Sequence, residues 1–287
     1  MSQPVAEVTA AGTLAVVGAG AMGGQIAFQA ALHGRHVHLV SRKPERLERA
    51  VTDGRKVLQR RVDKGELEAA DFDAAVSRLQ CSTSLDGIGR CGVVIESVAE
   101  DREIKREILQ RISEHADPDA IIGTNSSTLP SSLFTAEVRN PERLLNIHFF
   151  NPPLIMQLVE VVRGEHTSEA AVARAMQFAT DIGKQPVLVA REAYGFIANR
   201  ILFIAMQEAF FLAQNGYVSI EDCDLAVKNG LGWPMGPFGL ADLVGLDVVE
   251  AILSEGAQQT GDQRWAPLPI LRERVPVSYT HLTLPTI

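Results

Sequence analysis

Short apolar runs separated by amphipathic stretches organise the first two thirds of the chain. Five runs have the length and continuity of strands buried on both faces of a sheet. They are residues 14–17, 36–40, 93–97, 120–123 and 144–147. Helical spacing of apolar residues marks 21–33 and 101–115, and the charged, periodic stretch 44–80 predicts two further helices. Strands that alternate with helices predict an α/β fold with a doubly wound, mostly parallel sheet.

The pattern changes near Arg191, where an all-α region begins. Residues 195–215 predict a long helix that is apolar on most faces, so it should be buried between helices or against a second subunit. Three more helices are predicted at 220–229, 238–244 and 246–257. We expect a loose tail at 1–12, an α/β domain at 13–190 and a helical domain at 191–275.

The last twelve residues, 276–287, read PVSYTHLTLPTI and carry neither a helical period nor a charge. We interpret them as a foreign or disordered tail, the alternative being an ordinary extension. The N-terminus lacks the basic and apolar regions of a signal peptide, and no apolar stretch is long enough to span a membrane.

Charge is distributed unevenly over the 287 residues. The net charge is −8, which argues against binding to nucleic acid. Residues 42–64, however, contain nine basic and four acidic residues. This basic segment indicates either a polyanionic small ligand or a solvated helix face.

Cysteine and histidine spacing predicts no metal site. The chain has three cysteines, a sparse and odd number that suits a reducing compartment such as the cytoplasm. His36 and His38 alternate on a strand without further ligands beside them, so we expect them to be structural.

A glycine-rich turn follows the first predicted strand and opens the first helix. Gly18, Gly20 and Gly23 form G-x-G-x-x-G, with Met22 inside it. In this context the motif predicts a dinucleotide site, because the glycines permit a tight turn, close approach of the pyrophosphate and close helix packing. The positive end of the helix would then face the phosphates.

The end of the second strand normally selects between NAD and NADP. NAD enzymes usually have an acidic residue there, which binds the adenosine ribose. This chain has Ser41 and Arg42 instead, a hydroxyl and a guanidinium that suit a 2′-phosphate. The cofactor is therefore expected to be NAD or NADP: Ser41 and Arg42 raise NADP, while Glu45 or a neighbouring group could still serve NAD.

His148 follows a predicted strand at the edge where doubly wound sheets bind ligands, and an imidazole can exchange a proton near neutral pH. Glu160 lies in an apolar, strand-like run and needs a partner, which this histidine could provide. The alternative for His148 is a structural role. The polar segment 124–128 follows another strand and either holds a substrate group or caps a helix.

Six motifs, in order, resemble the L-3-hydroxyacyl-CoA dehydrogenase family, including bacterial 3-hydroxybutyryl-CoA dehydrogenases. They are GAGAMG at 18–23, TNSSTL at 124–129, HFFNPP at 148–153, LVEVV at 158–162, GFIANRIL at 195–202 and GLGWPMGPFGLADLVGLD at 230–247. The resemblance spans about residues 13–275. It implies hydride transfer between a 3-hydroxyacyl-CoA and NAD(P) in fatty acid metabolism, by a homodimer.

By this resemblance, His148 is the general acid/base and Glu160 orients it. Ser127 and Asn199 correspond to polar residues around the 3-oxygen of the substrate. The basic segment falls where the family binds the CoA nucleotide, which competes with its interpretation as a 2′-phosphate site.

The cofactor site implied by the resemblance includes residues beyond the glycine motif. Glu100 and Lys105 match positions associated with the cofactor and the acyl-CoA, and we assign Asn125 to the cofactor site as well.

Three departures from the family pattern are visible. Ser41 replaces an aspartate, Tyr194 replaces a common proline, and the chain lacks the glycine- and basic-rich tail that usually follows. Two alternatives stay open: a related dehydrogenase of a free hydroxy acid of the gulonate or carnitine type, and a non-enzymatic NAD-binding protein. An intact His148 and Glu160 argue against the latter.

Overall fold

The computed structural model describes residues 12–272 and divides the chain into two compact units, Met1–Ala193 and Tyr194–Ile287. The expected domain boundary lay at about 190. The expected tail at 276–287 and nearly all of that at 1–12 lie outside the described residues.

The first unit is built on an eight-stranded sheet with the order β3-β2-β1-β4-β5-β6-β7-β8. The strands are β1 (Thr13–Val17), β2 (His36–Val40), β3 (Leu79–Ser82), β4 (Val93–Glu96), β5 (Ile121–Thr124), β6 (Leu144–Phe149), β7 (Leu158–Val162) and β8 (Gln185–Val189). The helices are α1 (Ala21–Leu32), α2 (Pro44–Asp63), α3 (Ala69–Ser77), α4 (Arg102–His115) and α5 (Glu169–Asp181).

Six neighbouring strands, from β3 to β6, pair in parallel, while β7 runs antiparallel to β6. β8 is parallel to β7. The predicted doubly wound, mostly parallel sheet is therefore confirmed. The antiparallel pairing has a functional consequence, because its register sets His148 directly opposite Glu160.

Helices cover both faces of the sheet, and β1 shows why its residues are apolar throughout. Leu14 and Val16 join the core that includes α1 and α5, whereas Ala15 and Val17 join the core on the α4 side. Successive side chains of a strand point to opposite faces, so a central strand with two covered faces has no polar side.

Three elements of the first unit were not predicted: β3, α5 and β8. The two strands form the edges of the sheet, where one side of the backbone is unpaired and burial is incomplete. β3 reads LQCS and β8 contains Pro186, so neither has the apolar continuity of the central strands.

Between residues 194 and 272, the regular elements of the second unit are all helices. They are α6 (Ala198–Gln214), α7 (Ile220–Leu231), α8 (Pro237–Val244), α9 (Leu246–Thr260) and α10 (Pro269–Arg272). Their core gathers Phe210, Phe238 and Trp265, which are all fully buried. On α6, Ile201 and Phe211 are exposed, so the predicted burial of this helix is incomplete within one chain. Among residues 12–272, no helix is long and apolar enough to cross a membrane.

Candidate active site

The carboxyl ends of β1, β2, β4, β5 and β6 lie along one edge of the sheet, as their parallel pairing requires. At this edge, each strand contains or is followed by a residue that the sequence singled out. Ligands of doubly wound sheets bind at this edge. The site is therefore assembled from segments far apart in the sequence.

The glycine turn after β1 depends on two of its glycines for its shape. Gly18 has φ +118°, and its N–H donates to Val40 O at 2.8 Å. A Cβ on Gly23 would lie 1.8 Å from Gly18 O, so any side chain there would separate α1 from the turn. At Gly20 a Cβ would meet nothing within 4 Å. Open space in front of Gly20, next to the first turn of α1, fits a pyrophosphate held by backbone N–H groups.

A cleft of about 550 Å³ extends from this turn to the end of β2 and to α4. Its walls include Gly18, Gly20, Met22, Ser41 and Arg42 of the predicted cofactor residues. Gly23 lies behind the turn instead of lining the cleft. The volume, the glycine turn and the helix end together fit a dinucleotide cofactor.

The end of this cleft beside β2 is where doubly wound folds bind the adenosine ribose of a dinucleotide, and we call it the adenosine end. It combines apolar walls with basic side chains. Leu85, Ile104 and Ile108 provide apolar surface for an adenine ring. Cations surround them: Arg42, Lys43, Arg46 and Arg111. Within the basic segment 42–64, the first three of these cations therefore line the cleft, while others, such as Arg49 and Arg55, are exposed along α2.

His148 lies in β6 with its two ring nitrogens bound to different partners. Nδ1 lies 2.9 Å from Glu160 Oε2, and Nε2 lies 3.1 Å from Ser127 Oγ. Both His148 and Glu160 are buried. Since a carboxylate only accepts hydrogen bonds, the proton on Nδ1 points toward Glu160, and Nε2 is the ring nitrogen that faces Ser127. The structure thus brings together three of the four predicted catalytic residues.

The loop that carries Ser127 is held by one carboxylate. Glu100 Oε1 accepts hydrogen bonds from Ser126 Oγ at 2.5 Å, Ser127 N at 3.0 Å and Thr128 N at 3.1 Å. Lys105 Nζ lies 3.2 Å from the other oxygen, Glu100 Oε2. Burial raises the pKa of Glu100, but the Lys105 charge and these hydrogen bonds outweigh it and hold the pKa below its usual value.

A second carboxylate, Glu96, was not identified from the sequence. Its oxygens accept hydrogen bonds from Lys105 Nζ at 2.9 and 3.0 Å and from Thr124 Oγ1 at 2.6 Å. Glu96, Lys105 and Thr124 are all buried. The signal was present in the sequence, because a glutamate that ends an apolar run needs a buried partner. What the sequence did not provide was the identity of that partner, nine residues later on α4.

Asn125 connects the cleft to β6. Its Oδ1 accepts from Phe149 N at 2.9 Å, and its Nδ2 donates to Ser97 Oγ at 3.3 Å. Ser97 lines the cleft. Asn125, Glu100 and Lys105 are not among the residues that line the cleft. Each is hydrogen-bonded to a residue at or after a strand end, and their predicted direct contact with a cofactor stays a prediction.

The fourth predicted catalytic residue, Asn199, belongs to the helical unit. It is the second residue of α6, and it follows a turn in which Gly195 has φ +73° and Phe196 has φ +48°. Backbone in this left-handed region is uncommon for a phenylalanine and is found where the surrounding structure imposes it. Asn199 thus lies in the first turn of α6, directly after a turn whose backbone conformation is fixed by the surrounding structure.

Comparison with known proteins agrees with this geometry. The family described as 3-hydroxyacyl-CoA dehydrogenase, NAD binding domain, matches residues 13–193, and the family's C-terminal domain matches 195–281. The second match includes part of the segment 276–287.

Individual relatives cover nearly the whole chain. The Bacillus subtilis (strain 168) protein named "Probable 3-hydroxybutyryl-CoA dehydrogenase" is 34% identical over 260 residues, which are 91% of this chain and 90% of that protein. The (S)-3-hydroxybutyryl-CoA dehydrogenase PaaH1 from Ralstonia eutropha superposes with a TM-score of 0.90 at 33% identity, over 93% of this chain and 94% of its own.

The M. tuberculosis FadB2 structure gives a TM-score of 0.87 at 35% identity and covers 92% of this chain and 93% of its own. Both domain matches occur in order, and they account for the sheet, the glycine turn and the helical unit. The chain therefore belongs to the 3-hydroxyacyl-CoA dehydrogenase family and is an oxidoreductase with that family's NAD-binding domain.

Proposed function

We propose that this chain interconverts an (S)-3-hydroxyacyl-CoA and the corresponding 3-oxoacyl-CoA, with 3-hydroxybutyryl-CoA as a substrate. The observation that carries the proposal is the chain of hydrogen bonds from buried Glu160 through buried His148 to half-buried Ser127. Such an arrangement suits proton exchange with an alcohol, and the similarity to 3-hydroxybutyryl-CoA dehydrogenases supports the substrate.

His148 handles the proton. In the oxidative direction Nε2 takes the proton of the 3-hydroxyl, and Glu160 stabilises the imidazolium that results. Ser127, 3.1 Å from the same nitrogen, donates a hydrogen bond to the developing charge on the substrate oxygen. Asn199 is assigned to the same oxygen. In the reverse direction the imidazolium returns its proton to that oxygen.

When bound along the glycine turn, a nicotinamide dinucleotide supplies or accepts the hydride at C3 of the substrate. Gly18, Gly20 and Met22 would hold its pyrophosphate half. We further propose that Ser41 and Arg42 allow the cleft to accept NADP(H), because no carboxylate is present at the end of β2 to repel a 2′-phosphate.

The remaining ligands and partners follow the same reasoning. Exposed cations on α2, such as Arg55 and Lys56, are assigned to the CoA nucleotide, whose phosphates they complement. We also propose a homodimer formed through the helical unit and a cytoplasmic location. The free thiols of Cys81, Cys91 and Cys223 are consistent with a reducing compartment.

The family assignment favours this function over a dehydrogenase of a free hydroxy acid. The buried pair of His148 and Glu160 favours an enzyme over a non-enzymatic dinucleotide-binding protein. A protein that only binds a dinucleotide would lose no function if His148 and Glu160 were replaced, whereas acid–base catalysis requires both side chains.

The test is absorbance at the reduced-nicotinamide band with acetoacetyl-CoA, with NADH and NADPH compared at equal concentration. Oxidation of either cofactor, dependent on acetoacetyl-CoA, is the expected result. A folded preparation that binds NADH but turns over only a free 3-oxo acid would contradict the CoA substrate.

A further inference from the structure

Glu107 on α4 occupies an unusual place at the adenosine end of the cleft. Its Oε1 lies 3.8 Å from Arg42 Nη1, which comes from the end of β2. The pair therefore joins two walls of the cleft. Among the described residues that line it, Glu107 is the one acidic side chain, against Arg42, Lys43, Arg46 and Arg111.

The helix geometry keeps Glu107 in the cleft. Ile104, Glu107, Ile108 and Arg111 all line it, and the spacing of three and four residues places them on one face of α4. Rotamer changes can move the carboxylate, but they cannot remove it from this face. A ligand that enters the cleft beside Arg42 therefore also meets the carboxylate of Glu107.

Glu107 competes with a phosphate for the same guanidinium. Carboxylate and phosphate oxygens both attract a guanidinium, so the ion pair with Glu107, a single contact of 3.8 Å, draws Arg42 partly away from a phosphate. NADP(H) needs Arg42 for its 2′-phosphate, whereas NAD(H) has a ribose hydroxyl at that position. Holding Arg42 thus penalises one cofactor selectively.

We propose that Glu107 is a specificity-determining residue that lowers the preference of the cleft for NADP(H) by holding Arg42 away from the 2′-phosphate. The inference rests on the proposed role of Ser41 and Arg42, and it adds the residue that opposes them. The cleft then accepts either cofactor, and this exposed ion pair shifts the balance between them toward NAD(H).

The expected effect is small, and its direction is fixed. Both side chains are mostly exposed, 69% for Arg42 and 64% for Glu107. Exposed pairs contribute little free energy, so releasing Arg42 should strengthen NADPH binding by roughly twofold to fivefold. At about 1 M salt the Debye length shrinks to about 3 Å, and most of the difference should disappear.

The experiment is a fluorescence titration that gives the Kd of NADPH and of NADH for each variant, with no turnover required. Glu107→Gln should lower the Kd of NADPH by about twofold to fivefold and shift the Kd of NADH less than twofold. Glu103→Gln is the matched control. Glu103 is on the same helix and contacts Arg106 at 3.4 Å, but it does not line the cleft. An unchanged Kd ratio in Glu107→Gln would overturn the inference.

Arg42→Gln, alone and with Glu107→Gln, separates this inference from the proposed function. If Arg42 binds the 2′-phosphate, Arg42→Gln alone raises the Kd of NADPH. In that background, Glu107→Gln should change the Kd of NADPH by less than half as much as it does in the wild type. A full Glu107 effect without Arg42 would overturn the competition. An Arg42→Gln variant with an unchanged Kd ratio would instead refute the proposed reading of the 2′-phosphate.

Discussion

At the residue scale, the two ring nitrogens of His148 have different roles. Nδ1 is committed to Glu160, so Nε2 alone can exchange a proton with a substrate. We expect His148→Gln to lower kcat by about 10²- to 10⁴-fold, because general acid–base catalysis contributes on that order. The Kd of NADH should stay the same, since His148 does not line the cleft.

The measurement is steady-state turnover of acetoacetyl-CoA together with a binding titration. His115→Gln is the control, because His115 is an exposed residue at the end of α4 whose Nδ1 contacts Arg111 O. A variant at His148 with wild-type kcat would refute its role as acid and base.

Glu100 leads to a pH-dependent prediction. Its pKa in the folded protein is lowered by Lys105 and by hydrogen bonds from the 126–128 loop. A carboxyl with a depressed pKa stabilises the fold above its unfolded pKa of about 4.3 and loses that contribution as the pH falls through the folded value. The free energy of unfolding should therefore fall with acid more steeply in the wild type than in Glu100→Gln.

Urea unfolding between neutral pH and about pH 3.5 measures this slope, a range that spans the usual titration of glutamate. Glu114→Gln serves as control, because Glu114 is exposed on α4 and contacts Gln110 at 3.4 Å. Parallel pH slopes for the wild type and Glu100→Gln would mean that the carboxylate gains nothing from its contacts.

Sequence reasoning reached the residues at strand ends more easily than those in side-chain networks. His148 and Glu160 could be paired because His148 follows a predicted strand and Glu160 lies in the next apolar, strand-like run. Glu96 and Lys105 lie nine residues apart, with a turn and the start of α4 between them. Their meeting depends on how α4 packs on the sheet, and local patterns do not encode that angle.

At the element scale, the glycine turn separates a packing requirement from a ligand requirement. A Cβ on Gly23 would lie 1.8 Å from Gly18 O, whereas one on Gly20 would meet nothing within 4 Å. Gly23→Ala should therefore destabilise the fold by about 2 kcal/mol or more, as overpacked sites do. Gly20→Ala should keep its Tm but bind NADH more weakly, because its methyl group would stand where the pyrophosphate approaches.

Thermal unfolding and an NADH titration on both variants test the distinction, and each variant is the control for the other. Equal losses of Tm would show that the turn is uniformly crowded. Unchanged NADH binding in Gly20→Ala would show that the pyrophosphate does not pass in front of this residue.

The elements found from the sequence are those with continuous burial. Central strands such as β1 and β5 are buried at every position, and their runs were clear. The edge strands β3 and β8 carry polar or proline residues, since only part of each is covered. The antiparallel direction of β7 followed from no local pattern, because strand direction is decided by the connection and not by the strand.

At the scale of the whole molecule, apolar exposure is concentrated in the helical unit. Ten of the fifteen exposed large apolar side chains in residues 12–272 come from residues 194 onward. Ile201, Leu231 and Leu243 are among them. Where such side chains form one contiguous patch, they mark an association site.

The sequence predicted that α6 is apolar on most faces and therefore buried. Within one chain the helix is only partly buried, because part of its apolar surface is exposed. Its outer residues, Ile201 and Phe211, are as apolar as its core residues, Met206 and Phe210. An apolar face retained on an exposed helix is understandable when a second copy covers it, which is the alternative that the sequence left open.

The proposed homodimer gives a sharp prediction. Sedimentation velocity should give a species of twice the 31.1 kDa chain mass for the wild type. Leu243→Glu should shift it toward one chain mass, because a buried unpaired carboxylate costs far more in an interface than in water. Leu243 is 71% exposed within the chain, so the substitution should leave the folded unit intact.

Leu188→Glu, on the edge strand of the first unit, is the matched control and should sediment as the wild type. If both variants remained dimeric, the interface would lie elsewhere, and a wild type that sediments as one chain at micromolar concentration would refute the dimer.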